Sequence, residues 1–143
     1  MPGKFHVTHT TGLLLVCLMF MACGILRLND LSLYTPDSSR YLIWGNSIAH
    51  GDGYCDATQP DPDRFVVNAP LYSLLIAPVE CVLPLSLRAV KVATLLFGVL
   101  GLGILYALIH RLLGKSRALA ATILVAFNPA ILLFSTEALS EAP

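Results

Sequence analysis

Few side chains in this sequence stand where they could do chemistry. The acids of interest are Asp37, in LYTPDSSRYLIWGNSIAHGDGY, and the pair Glu137 and Glu141, in STEALSEAP. All six aspartates lie between the first and second apolar runs of the chain. Asp37 has a structural reading, because Thr35-Pro36-Asp37 is a good helix start. Thr35 can cap, Pro36 suits the first helical position, and Asp37 favours the positive end of the dipole. His50 stands near the end of the same helix, where it complements the dipole or serves as an acid/base group. Cys17, Cys23, Cys55 and Cys81 have no CxxC spacing, so a zinc or redox motif is unsupported. Cys55 and Cys81 could pair if their segment faced an oxidising compartment, or remain two thiols.

The elements that must position these groups are mostly apolar. Of 143 residues, 56% are hydrophobic and 13% charged, against roughly 25% charged in a soluble domain. The mean hydropathy of +0.73 points the same way, to a membrane protein, and the apolar runs of the chain make the expected fold class all-α polytopic. Formal net charge is zero, which gives no sign of a nucleic-acid partner. Three runs read as spans: residues 11–28, 87–109 and 118–135, the last with Asn128-Pro129 inside it. The first run also has signal-peptide features, with Lys4 ahead of it, but its length and the two later runs favour a retained span. Glycines 98, 101 and 103 in the second run suit close helix approach. PLYSLLIAPVECVLP, broken by Pro78 and Glu80, is too short to span and reads as interfacial or re-entrant.

Arg111, Lys115 and Arg117 place the connector 110–117, and with it residues 1–10, on the cytoplasmic side. The loop 29–86 and the segment 136–143 are then external, so Asp37, Glu137 and Glu141 fall on one side of the membrane. Within that loop, Tyr41, Trp44 and Ile48 form an apolar face, and Gly51 and Gly53 end the helix. Such a helix, bearing Trp and Tyr, suits the membrane interface.

The succession TPDSSRYLIWGNSIAHGDGY, NAPLYSLLIAPV, a span ending in RLLG, then FNPAILLFSTEALSE resembles the N-terminal part of GT-C membrane glycosyltransferases. Within these it is similar to family 39, the protein-mannosyltransferase and aminoarabinose-transferase-like enzymes. The likeness runs from the first span to Glu141 and rests on order and spacing rather than on one motif. It implies three N-terminal transmembrane helices with a long first external loop carrying an interfacial helix. It also implies transfer of a sugar from a polyprenyl-phosphate donor to a lipid or protein hydroxyl, outside a bacterial inner membrane. Asp37 matches the family's catalytic acid and would be the general base. Pro70-Leu71-Tyr72 matches a second motif, and Glu141 or, less well, Glu137 a second acidic position. Arg40 or Arg64 would neutralise the leaving phosphate. Asp37 with Glu141 would offer oxygen ligands to Mg²⁺ or Mn²⁺, as in those relatives that use a metal. Family members have more spans, so the likeness also implies a fragment or truncated product, inactive alone.

Asp61-Pro62-Asp63 has the spacing of the DxD of nucleotide-sugar transferases. That motif needs an α/β nucleotide domain, and a proline-rich turn accounts for it better. Two non-enzymatic readings stand beside the enzyme. A transporter segment would use the Asn128-Pro129 break, and an accessory membrane protein would only pack against a larger partner.

Overall fold

A computed structural model describes residues 9–29, 36–61 and 70–137, with only the backbone given at 36–38. The described residues are helical and contain no strand. The helices are α1 (His9–Arg27), α2 (Pro36–His50), α3 (Leu71–Val82), α4 (Leu87–Leu113), α5 (Lys115–Ala126) and α6 (Pro129–Phe134). Two of them, α1 and α4, are long and apolar enough to cross a membrane.

Small residues let α1 and α4 pack closely, and the pairings show that they are antiparallel. Gly24 lies against Leu95, and Gly98 lies against Phe20. A Cβ on Gly24 would stand 2.4 Å from Leu95 Cδ1, so any larger residue would force the buried Leu95 side chain to shift. Val16, Phe20, Leu95, Leu102 and Ala126 form the core of this bundle. Gly12 packs on Leu119, which brings α5 against α1.

The connector expected at 110–117 is almost entirely helical. The apolar pattern carries α4 through Arg111 to Leu113, and α5 begins at Lys115. Gly114 alone makes the reversal, with φ 88° and ψ 168°, a backbone state essentially reserved for glycine. The span expected at 118–135 is instead two pieces, of 12 and 6 residues. Pro129 supplies no amide hydrogen, and Asn128 turns out of the helix to extended backbone, its Oδ1 capping Ala130 N at 2.9 Å.

On one end of this bundle, α2 and α3 form a separate layer. They run parallel: Tyr41 stacks edge-on against Tyr72, Gly45 meets Ile76, and Ala49 O lies 3.8 Å from Cys81 Sγ. Neither Pro78 nor Glu80 breaks α3, which runs through both to Val82. The aromatic face of α2 turns to protein rather than to a bilayer surface. Tyr41 and Trp44 are buried with Tyr72, Ile76 and Val90 of α4. Ser47 is buried too. Gly51 follows α2 with φ 88°. The four cysteines are free thiols, Cys55 buried and Cys81 exposed.

Candidate functional site

Where the α2–α3 layer meets the bundle, three distant segments bring polar groups together. Asn29 follows the end of α1, Lys91 lies one turn into α4, and Glu137 follows α6. Lys91 Nζ stands 3.1 Å from Glu137 Oε2 and donates to Asn29 Oδ1 at 3.0 Å. Lys91 is 1% exposed and Glu137 13%. An ammonium this buried keeps its charge at tolerable cost only when it is paired and hydrogen-bonded, and both conditions are met here.

The end of α6 holds Glu137 in place. Ser135 N donates to Ile131 O at 2.9 Å, and Thr136 Oγ1 lies within 3.1 Å of both Leu132 O and Leu133 O. Glu137 N closes the turn on Phe134 O at 3.3 Å. The break at Asn128-Pro129 thereby redirects the chain so that its acid reaches α4.

Thr94 lies three residues beyond Lys91, on the same face of α4. Its hydroxyl donates to Val90 O at 3.0 Å, so the 2.7 Å contact with Tyr72 Oη has Tyr72 donating. Burial pushes the Tyr72 phenol up to about 12, the hydrogen bond to Thr94 opposing that shift. Tyr72 therefore remains a neutral donor in any ordinary solution. Tyr41 stands edge-on to Tyr72 at 5.2 Å and to Trp44 at 5.7 Å. Asp37 lies in the first turn of α2, one turn ahead of Tyr41.

A second buried acid closes the α3–α4 turn. Glu80 is fully buried, and its Oε2 accepts from Leu85 N at 2.6 Å. Leu85 has φ 54°, the only positive φ among described non-glycine residues. Burial raises the Glu80 pKa, opposed by the Leu85 amide and by the charge of His50. Its Oε1 has no hydrogen-bond partner among the described residues.

Of the residues singled out from sequence, the structure brings Tyr72 and Glu137 to the same end of the bundle, and Arg40 is exposed on α2. Arg64, Glu141 and the side chain of Asp37 lie outside the described residues, as does most of the Asp61-Pro62-Asp63 turn. Sequence reasoning missed Lys91, Asn29 and Glu80. Lys91 sits at the edge of an apolar run, where a cation reads as an interfacial anchor. The available signal was Lys91 and Thr94 at i, i+3 inside a helix otherwise apolar on that face. No three His, Cys, Asp or Glu side chains among the described residues are placed to hold a metal ion.

Compared with models of known protein families, with curated proteins and with solved structures, the chain matches none.

Proposed function

We propose that this chain acts in an integral-membrane glycosyltransferase of GT-C type, moving a sugar from a polyprenyl-phosphate donor to a lipid or protein hydroxyl. The observation that carries the reading is the packed α2–α3 layer, which opens at Asp37 and meets the bundle where Lys91 and Glu137 pair. A long segment between two apolar helices that buries aromatic side chains is a built element rather than a connector. In this reading Asp37 is the general base, Tyr72 and Glu137 shape the acceptor side, and Arg40 and Arg64 face the leaving phosphate. Glu141 joins Asp37 at any divalent metal. The enzyme is multi-pass, in a bacterial inner membrane, with this layer on the external face.

The test is single-turnover sugar transfer from a polyprenyl-phosphate donor by the enzyme in membranes. Asp37→Asn keeps size and helix-start character but removes the base, and the rate falls by roughly 10²-fold or more with insertion unchanged. A near-wild-type rate removes the main chemical reason for the assignment.

A transport reading is favoured by one observation, the interruption between α5 and α6 at Asn128. Solute uptake into vesicles that is insensitive to Asp37→Asn but abolished by Asn128→Leu selects it over the enzyme.

A further inference from the structure

The outer side of the α3–α4 junction carries a groove of about 510 Å³. Val79 of α3, Leu83 just after that helix, and Val92 and Leu96 of α4 form its walls, with Ser86 and Arg88 among its lining residues. Arg88, Val92 and Leu96 recur at i, i+4 and i+8, so one face of α4 passes from a cation into an apolar stripe over about 12 Å. The walls are apolar yet uncovered: Leu83 is 52% exposed, Val92 39% and Leu96 51%. Arg88 is exposed and makes no hydrogen bond or ion pair among the described residues. Ser86 Oγ accepts from Ala89 N at 3.4 Å, which leaves its hydroxyl hydrogen to donate elsewhere.

The charge and the walls together select the occupant. An apolar helix laid here would leave the guanidinium uncompensated. A soluble anion would pair with Arg88 but leave the walls wet. An amphiphile with an anionic head satisfies both, because guanidinium and hydroxyl match phosphate oxygens and the stripe below matches a hydrocarbon chain. We propose that this groove seats an anionic glycerophospholipid, its phosphate on Arg88 and Ser86 and one acyl chain along Val79, Val92 and Leu96. The inference rests on α4 crossing a membrane and is independent of sugar transfer.

Native mass spectrometry of the detergent-purified chain, incubated with equal phosphatidylglycerol and phosphatidylcholine, tests it. The wild type retains phosphatidylglycerol over phosphatidylcholine by roughly fivefold, the factor expected for one basic side chain at a lipid surface. Arg88→Gln brings the two lipids to parity. Val92→Trp fills the groove and lowers retention of both. Arg111→Gln, at the opposite end of α4, leaves the preference intact. Equal retention by the wild type, an undiminished preference in Arg88→Gln, or the same loss in Arg111→Gln as in Arg88→Gln each overturns the proposal. A near-wild-type rate of sugar transfer in Asp37→Asn, with the lipid preference retained, would count against the enzyme reading alone.

Discussion

The two layers of this molecule use apolar side chains in opposite ways. Along α4, Leu96, Leu100, Ile104 and Leu108 are each more than half exposed, and the helix still forms. In α2 and α3, Tyr41, Trp44, Tyr72 and Ile76 are nearly or fully buried. The long helix satisfies its own backbone hydrogen bonds and suits any apolar surroundings, so its outward face needs no protein partner. The two short helices have too few turns to stand alone, and their stability comes from the face they share. Substitutions should therefore be costly in the α2–α3 layer and mild on the outward side of α4.

Trp44→Ala is the sharpest test of this contrast. It empties the centre of the aromatic cluster and should cost about 3–5 kcal/mol, while Leu100→Ala should cost under about 0.5 kcal/mol. Denaturant unfolding in detergent measures both, and equal losses would mean that the layers do not differ in this way. Next in size is Lys91→Met, which strands the Glu137 carboxylate and should cost about 3 kcal/mol. The double substitution with Glu137→Met should recover much of that loss. If it recovers none, the pair is not what joins α4 to the segment after α6.

Glycine substitutions sharpen the comparison at a smaller scale. A Cβ on Gly45 meets Ile76 Cγ1 at 2.8 Å, whereas one on Gly101 meets nothing within 4 Å. Gly45→Ala should destabilise by about 1 kcal/mol, overpacking outweighing helix propensity. Gly101→Ala should stabilise by up to about 1 kcal/mol. Thermal melts showing the same sign for both would contradict the packing described.

The smallest effect is a pH slope. Burial raises the folded-state pKa of Glu80 above 4.5, so the native state holds its proton more tightly than the unfolded chain. Its contribution is fully present below about 4.5 and is lost as pH rises through the raised value. Glu80→Gln should flatten that part of the stability curve. An unchanged slope would show that Glu80 does not titrate differently on folding.

Much of this was legible in the sequence, though unevenly. The apolar runs marked α1 and α4, and Pro36 with Gly51 bounded α2, because propensity and turn chemistry are local. Trp44 and Tyr41 read as interfacial, since hydropathy cannot distinguish a ring that meets lipid from one that meets another helix. Pro78 and Glu80 read as breakers, because a buried carboxyl becomes admissible only when a partner such as the Leu85 amide is in place. The candidate site was half visible: Tyr72 and Glu137 were singled out, whereas Lys91 and Asn29 were not.

The sequence by itself determined the all-helical character, the two helices able to cross a membrane, and a reversal within 110–117, where Gly114 stands. These follow from backbone hydrogen bonding, apolar length and φ, which neighbouring residues set. Tertiary structure alone decided that α2 and α3 run parallel, that their aromatic face packs on α4, and that Lys91 meets Glu137 and Asn29. Those outcomes depend on side chains from separate segments sharing one buried space. The energy of a paired charge or a filled core exists only once the segments have met.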